Sequence, residues 1–291
     1  MARHGIVRIG ISGWTYAPWR GVFYPAGLPH KRELSHAAGI FNTIEINGTF
    51  YGLQKPDSFA QWSEQTPDDF VFSVKAPRFI THIRRLRDCA TPLANFLASG
   101  VLRLGPKLGP ILWQFPPNFR FDKERVEPFL ALLPHDTETA ARVEEGHDAR
   151  LKGRAWTATD AARKLRHAFE IRHESFRDPA FVALLREHDV ALVCADTVAW
   201  PRLMDLTSDF VYARLHGSEE LYASGYDDAS LDQWADRVAA WAQGREPEDA
   251  ERVGGKGRKQ PRDVFVYFDN DMKVLAPHDA RALRLRVEAR L

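Results

Sequence analysis

Short apolar runs, rich in β-branched and aromatic residues, recur along the whole chain with amphipathic stretches between them. The runs lie at residues 6–12, 42–47, 70–75, 111–115, 167–172, 190–195, 210–215 and 264–268. Nearly continuous apolar strands separated by helices are typical of a parallel sheet that helices cover. Eight strand–helix units are the number that closes a (β/α)8 barrel. We therefore predict an α/β fold: a TIM-barrel-like domain with parallel strands.

Helix signals fall between these runs, as a barrel requires. Lys55-Pro56 and Asp178-Pro179 each place a proline in a first helical turn, and Asp178 is suited to cap its helix. Asp122 precedes a helical pattern over 123–133, in which Pro128 predicts a kink or a late start. Leucine and valine at helical spacing over 277–290 predict a last outer helix.

Two stretches fit this repeat badly. Residues 134–157 are polar, and residues 244–262 are rich in glycine and charge. Neither contains enough apolar residues for a core of its own, so we predict loop insertions at both places. The whole chain, 1–291, is then expected to form one domain.

Composition narrows the class of protein. Cys89 and Cys194 are far apart, which excludes a CxxC metal site or a disulfide framework. No run approaches the ~20 apolar residues that span a bilayer, and the first strand begins too early to leave room for a signal peptide. We expect a cytoplasmic protein with no membrane partner. The formal net charge is only +1, which argues against a protein that coats nucleic acid, although basic clusters at 82–88 and 252–262 keep a nucleic-acid partner open.

The carboxyl ends of the predicted strands are unusually polar. Active sites of TIM barrels lie at these ends, and a charge inside a strand must be paired or used. The candidate catalytic residues are Glu45, Lys75, Glu170, Asp196, His216 and Asp269. The candidate substrate-binding residues are Trp14, Tyr16, Asn47, Tyr51, Gln114, Arg172, Arg214, Tyr226 and Asn270.

Motifs at these strand ends resemble those of a known family. They are SGWTY at 12–16, FNTIEIN at 41–47, TFY at 49–51, FSVKAPRF at 72–79, QFPP at 114–117, FEIR at 169–172, YARLHG at 212–217 and YFDN at 267–270. Together they resemble the YecE-like family, also called the domain of unknown function 72, in order and over nearly the whole chain. The resemblance implies a TIM-barrel-like fold and names no reaction.

Three kinds of chemistry fit the candidate residues. Glu45 and Glu170 could act as the paired carboxylates of a glycosidase, but Lys75, Arg172 and Arg214 could pair them and make them poor general acids. Lys75 could act as a base or a Schiff-base nucleophile if its pKa fell, yet the nearby glutamates are expected to raise that pKa.

Metal chemistry is the third kind. Barrels related to endonuclease IV carry several histidines at strand ends, whereas here only His216 is squarely placed. A multinuclear zinc site is therefore not predicted, and a single divalent ion held by carboxylates stays open; no cofactor is required by the sequence.

The sequence favours an enzyme that uses acid–base chemistry on a small anionic or polyhydroxylated molecule. Two alternatives remain from other classes of function. One is a protein that binds or processes nucleic acid, and the other is a barrel that binds a ligand without turnover.

Overall fold

The structure is a computed structural model and describes residues 4–217 and 220–291. All eight predicted strands are present, and each pairs in parallel with the next. The last strand also pairs with the first, so the sheet closes into a barrel. The strands are β1 Val7–Ser12, β2 Thr43–Ile46, β3 Val71–Lys75, β4 Leu108–Gln114, β5 His167–Glu170, β6 Val190–Asp196, β7 Phe210–Leu215 and β8 Asp263–Phe268. The predicted α/β fold with a TIM-barrel-like parallel sheet is confirmed.

Helices lie between the strands and pack on the outside of the barrel. They are α1 Glu33–Ala38, α2 Gly48–Tyr51, α3 Pro56–Glu64, α4 Ala90–Ala98, α5 Lys123–Leu132, α6 Thr137–Glu144, α7 Pro179–Glu187, α8 Asp228–Ala242 and α9 Ala276–Glu288. The prolines mark the starts of α3 and α7 as predicted. The Asp178 carboxylate caps α7 by accepting a hydrogen bond from the Ala180 N–H.

One helix differs from its prediction. α5 begins at Lys123 and runs through Pro128, so the late start does not occur. Proline removes one backbone hydrogen bond, but the same helix buries Val126, Phe129 and Leu130 against the core. Tertiary packing therefore outweighs the local preference of proline.

The barrel interior is built in layers, because successive residues of a strand point to opposite faces of the sheet. The lower layer is mostly apolar and consists of Leu112, Ala168, Ala191, Val193, Phe210, Tyr212, Phe265 and Tyr267. The Tyr212 and Tyr267 rings lie 5.0 Å apart between centroids. Two residues further along β4, β5, β7 and β8, the same face carries the polar side chains of Gln114, Glu170, Arg214 and Asp269. The apolar layer thus forms a packed floor under a polar end of the barrel.

Both predicted insertions pack against the rest of the chain. Segment 134–157 contains α6, which packs on α4. Segment 244–262 is held by its own basic residues: Arg262 is buried and donates to the Ser208 carbonyl at 3.0 Å, while Arg252 pairs with Glu246. These two arginines therefore serve internal contacts of the fold.

The other basic cluster, 82–88, is also partly engaged. The Arg84 guanidinium pairs with Asp88 at 2.8 Å, and Arg85 donates to the Asn118 carbonyl at 2.8 Å. Within residues 4–217 and 220–291, no helix is both long and apolar enough to cross a membrane.

Candidate functional site

The polar layer at the carboxyl end of the barrel is the candidate site. Four of its side chains share the inward face with the packed floor, since each stands two residues beyond a floor residue: Gln114, Glu170, Arg214 and Asp269. Arg214 follows Tyr212 of the floor by two positions, and Asp269 follows Tyr267 in the same way. The further members are Ser12, Glu45, Lys75, Gln114 and Glu170, whose strands supply the other sides of the ring.

Arg214 is the centre of this layer and is fully buried. Its Nε and one terminal nitrogen donate to the two oxygens of Glu45 at 3.1 and 2.9 Å. The same terminal nitrogen also donates to Asp269 at 2.8 Å, and the other terminal nitrogen donates to Glu170 at 2.6 Å. One guanidinium therefore holds three buried carboxylates from three strands, and its fork of donors is used completely.

Glu45 accepts hydrogen bonds on both oxygens. Besides Arg214, the Ser12 hydroxyl donates to one oxygen at 2.5 Å and the Tyr212 hydroxyl to the other at 2.6 Å. With four donors around it, this carboxylate has little capacity left for a substrate. Its geometry suits a residue that positions Arg214.

Glu170 and Asp269 are held in the ionised state. Burial alone would raise their pKa values, but Arg214 holds the pKa of both carboxyls far below the ordinary range. For Glu170 the Arg172 guanidinium adds to this effect by donating at 2.8 Å. These contacts keep Glu170 ionised and make it a poor general acid, as the sequence led us to expect.

His216 lies beside the same cluster and is buried. Its Nε2 is 3.4 Å from an Arg214 nitrogen, and its Nδ1 is 3.1 Å from the Asp269 carboxylate. Burial and the Arg214 charge lower the pKa of His216. The lowered pKa favours the neutral ring near pH 7, and its two nitrogens face Asp269 and Arg214.

Lys75 is the cation of the layer that no carboxylate neutralises directly. It is 8% exposed and, in the part of the chain that the structure describes, forms no ion pair within 4.0 Å. Its Nζ lies 4.6 Å from the centroid of the Phe50 ring. Burial, with Arg214 as the second cause, lowers the pKa of Lys75 to about 8. Glu45 and Glu170 do act to raise this pKa, as expected, but burial and the Arg214 charge outweigh them, so the net shift is downward.

Asp271 and Tyr16 extend the site beyond the end of β8. Burial and the neighbouring Asp269 raise the pKa of Asp271 to about 6. Burial also raises the pKa of Tyr16, whose hydroxyl donates to the Ser12 carbonyl at 2.6 Å. Asp271 was not among the predicted site residues, and its neighbour Asp269 in the same strand-end motif is the signal that could have found it.

Two aromatic side chains, Trp200 and Tyr222, cover one side of the polar carboxyl end of the barrel, which we call the mouth. The Trp200 ring lies 4.0 Å from the Arg172 guanidinium and 5.4 Å from the His216 ring, and Tyr222 contacts His216 from another side at 5.5 Å. Tyr222 has a left-handed backbone, with φ of 63°. Trp200 lies in a loop without a periodic pattern, so no sequence signal singles it out.

Besides His216 Nδ1, two buried polar atoms near the mouth have no hydrogen-bond partner among the described residues. One is Oδ1 of Asn47, whose amide nitrogen donates to the Ser12 hydroxyl at 2.9 Å. The other is Nε1 of Trp200. Because a buried polar group without a partner is costly, these atoms favour an occupant with hydroxyl or anionic oxygens.

The structure does not bring every predicted residue into this cluster. Asp196 is at the end of β6 but turns to the helix layer, where it accepts from Trp234 of α8 at 3.1 Å and from Arg202. Trp14 packs edge-on against Trp62 of α3. Asp196 lies on the outward face of β6, and Trp14 lies in the loop that follows β1.

Three further predicted residues also lie away from the cluster. The Asn270 amide donates to Asp279 of α9 at 2.9 Å, and the Tyr226 backbone N–H donates to the same carboxylate at 3.2 Å. Tyr51 is 75% exposed on α2. The catalytic role predicted for Asp196 and the binding roles predicted for Trp14, Tyr51, Tyr226 and Asn270 stay predictions, since these residues lie outside the cluster.

The carboxylates of the site do not form a metal centre with the other ligand types. Among the described residues, no group of three or more histidine, cysteine, aspartate or glutamate side chains is arranged to hold a metal ion. The carboxylates that could ligate a cation instead surround the Arg214 guanidinium.

We therefore expect millimolar Mg²⁺ or Mn²⁺ to leave the thermal melting temperature unchanged. A ligand that binds the folded state raises this temperature, so a thermal melt with and without each metal measures the effect. A rise that grows with metal concentration and disappears with a chelator would contradict this expectation.

The fold and site belong to a known family. A family model described as "Protein of unknown function DUF72" matches residues 8–291. The chain therefore belongs to this family, and the resemblance seen in its strand-end motifs is confirmed.

Particular relatives agree with this assignment. The chain is 33% identical to UPF0759 protein YecE of Escherichia coli (strain K12) over 114 residues, which are 39% of this chain and 39% of YecE. It is 28% identical to UPF0759 protein YunF of Bacillus subtilis (strain 168) over 126 residues, 42% of this chain and 44% of YunF. The matches thus span about two fifths of these relatives.

Solved structures share the fold over almost the whole chain. A DUF72 family protein from Thermotoga maritima matches with a TM-score of 0.73 at 23% identity, covering 97% of this chain and 99% of that chain. One from Enterococcus faecalis matches with a TM-score of 0.67 at 18% identity, covering 98% and 99%. At these sequence identities, the structural similarity establishes that the proteins share the barrel fold and nothing more.

Proposed function

We propose that the polar end of the barrel is an enzyme active site that transfers protons on a small anionic or polyhydroxylated substrate. The observation that carries this proposal is Lys75, a buried ammonium group without an ion-pair partner among the described residues. A buried charge that is not paired within the fold is typical of a group that meets its partner in a ligand.

The carboxylates around Lys75 have a positioning role in this proposal. Paired-carboxylate glycoside hydrolysis needs one protonated carboxyl group. Arg214 instead keeps Glu170 and Asp269 ionised and fills the space between them. Proton transfer is therefore assigned to other groups, Lys75 and Asp271.

The pKa values of these two groups suit opposite roles near neutral pH. The pKa of Asp271 is raised to about 6 and that of Lys75 is lowered to about 8. Between these values Asp271 is ionised and can accept a proton, while Lys75 is protonated and can donate one. We expect a bell-shaped rate profile with limbs near these two pH values, measured as kcat/KM against pH once a substrate is found.

The class of substrate follows from the charges and the unpaired polar atoms. Lys75 and the partly exposed Arg172 present positive charge to the mouth, which favours an anionic group. Asn47 Oδ1 and Trp200 Nε1 favour a molecule with several oxygens. A sugar acid or a phosphorylated sugar combines both properties.

The proposal is tested by incubating the protein with a panel of sugar acids, sugar phosphates and polyols in D₂O and following each compound by proton NMR. Acid–base chemistry at carbon exchanges a C–H proton for deuterium or converts the compound. We expect Lys75→Met to reduce the rate by at least about 100-fold, the usual contribution of a positioned acid or base. Lys31→Met, which removes an exposed lysine, is the matched control and should keep the full rate.

The stability of Lys75→Met separates a site from a structural role. Because the pKa of Lys75 is lowered in the folded state, its charge destabilises the fold below pH 8, and this penalty fades as the pH rises toward 10.5. The variant should therefore be no less stable than the wild type in a urea titration at pH 7. Binding of panel compounds without exchange or conversion would instead identify a ligand-binding barrel, and full turnover by Lys75→Met would remove Lys75 from the mechanism.

A further inference from the structure

A second concave surface lies beside the barrel mouth, between the segments that follow β2 and β3. It is a groove of about 420 Å³, a volume in the usual range for small-molecule sites. We infer that this groove binds a small molecule with a flat aromatic body and an anionic group. This inference is independent of the reaction proposed for the mouth.

The apolar lining provides the first argument. Phe50, Tyr51 and Phe79 contribute aromatic walls, and the Phe50 and Tyr51 rings stand nearly perpendicular at 5.2 Å. Tyr51 is 75% exposed and Ile83 is 60% exposed at this surface. Large apolar side chains gathered at a concave surface mark a binding site more often than a solvated face. Rings at right angles offer both a face and an edge to a flat aromatic ligand.

The charge of the groove provides the second argument. Among the described residues that line it, two are arginines and none is acidic. Arg78 is exposed and forms no ion pair in residues 4–217 and 220–291. Arg150 lies over the Phe79 ring at 5.0 Å and keeps only a long contact of 3.8 Å to Asp148. The groove is therefore complementary to an anion, and guanidinium groups pair well with carboxylate or phosphate.

The backbone of the groove provides the third argument. Ile80 and Ile83 belong to a π-helical turn, Phe79–Arg84. It is followed by Arg85 and Leu86, both in the left-handed region with φ of 52° and 65°. Non-glycine residues in that region carry strain, and strain and π-helical turns both cluster at ligand-binding segments.

Phe50 separates this groove from the mouth, because its ring lines the groove and also lies 4.6 Å from Lys75 Nζ. A ligand in the groove would therefore contact the outer side of the wall that covers Lys75. Variants of Lys75 and variants of the groove should affect different ligands.

The experiment uses 2-naphthoate as the probe and the neutral 2-naphthylmethanol as its matched partner, with fluorescence titration of the full chain. We expect saturable binding of 2-naphthoate and weaker binding of the alcohol. Ile83→Asp places a negative charge in the groove and should weaken 2-naphthoate binding by more than about tenfold. Arg78→Met removes the unpaired cation and should weaken it by about threefold, as expected for an exposed charge pair.

Two control variants define where the probe binds. Val22→Asp changes an exposed apolar residue outside the groove and should leave the affinity unchanged, and so should Lys75→Met. Absence of saturable binding, equal affinity for the acid and the alcohol, or unchanged affinity in both groove variants would overturn the inference. Loss of binding in Lys75→Met would place the probe in the mouth and overturn it as well. Because Arg78 is exposed, Arg78→Met decides the question even if Ile83→Asp does not fold.

Discussion

Replacing Arg214 with methionine should strongly destabilise the barrel. The guanidinium is the common partner of Glu45, Glu170 and Asp269, all of them buried. Removing one partner of a buried ion pair costs about 3–5 kcal/mol, and here three carboxylates lose the same partner. We expect Arg214→Met to lose at least that much free energy of unfolding at pH 7.5, measured by urea titration.

The pH dependence identifies the cause of this loss. In the wild type the pKa values of Glu170 and Asp269 are lowered, so these groups stabilise the fold above their ordinary values near 4 and lose this contribution in acid. Without Arg214 their burial raises the same pKa values, so the variant regains stability as the pH falls. The difference in free energy of unfolding between the wild type and Arg214→Met should therefore be smaller at pH 5 than at pH 7.5.

The matched control is Arg281→Met, which removes an exposed arginine and should change stability by less than about 0.5 kcal/mol. If Arg214→Met is insoluble, Arg214→Lys keeps one positive charge without the planar fork and should be destabilised in the same pH-dependent manner. A loss below about 1 kcal/mol in Arg214→Met would show that the cluster does not support the barrel.

Glu144→Gln should stabilise the protein, and more so at alkaline pH. Glu144 ends α6 and is fully buried, and neither of its carboxyl oxygens has a hydrogen-bond partner in the described chain. Burial raises its pKa from an ordinary 4.5 to about 8. Its carboxyl therefore stays protonated in the folded state at neutral pH but ionises when the chain unfolds.

The sign of the effect follows from this difference. The unfolded chain releases a proton between pH 4.5 and 8, so Glu144 removes stability as the pH rises through that range. At 1.36 kcal/mol per pKa unit, the penalty reaches roughly 4–5 kcal/mol at pH 8 and above. Glutamine is neutral in both states, so Glu144→Gln should match the wild type near pH 5 and exceed its stability by roughly this amount at pH 8.5.

The neighbouring exposed residue provides the control for this prediction. Glu145→Gln makes the same chemical change at the surface and should leave the pH profile of the wild type unaltered. Urea titrations of the wild type, Glu144→Gln and Glu145→Gln at pH 5 and pH 8.5 test this prediction. Parallel pH profiles for Glu144→Gln and the wild type would mean that the buried carboxyl does not titrate as described.

The candidate site was predicted in part, and Asp196 shows where the prediction reached its limit. Asp196 ends a strand, as Glu170 does, and by position in the strand the two are equivalent. The pairing of Ala195 with Arg214 between β6 and β7 places Ala195 on the inward face and Asp196 on the outward one. Strand ends can be located from the apolar pattern, but the face of the last residue depends on the register between neighbouring strands.

Lys75 illustrates a second limit. The sequence placed it correctly at the end of β3 beside glutamates, but the direction of its pKa shift depends on more than those glutamates. Burial and the charge of Arg214 both lower the pKa of Lys75, and together they outweigh the opposite effect of the glutamates. The net shift of this pKa depends on distances between side chains from strands far apart in the sequence, and a local sequence pattern does not give these distances.

The sequence by itself determined the eight strands, their parallel order, the family and the carboxyl-end location of Glu45, Lys75, Glu170, Arg214 and Asp269. Apolar periodicity and turn residues are local properties of the chain, and a closed barrel brings all strand ends to one side. Only the tertiary structure decided that one guanidinium holds three carboxylates, that Lys75 is left without a partner, and that Asp271 and Trp200 join the site. These features depend on register and on contacts between residues far apart in the chain, and the free energies of burial and charge pairing are fixed only when those contacts form.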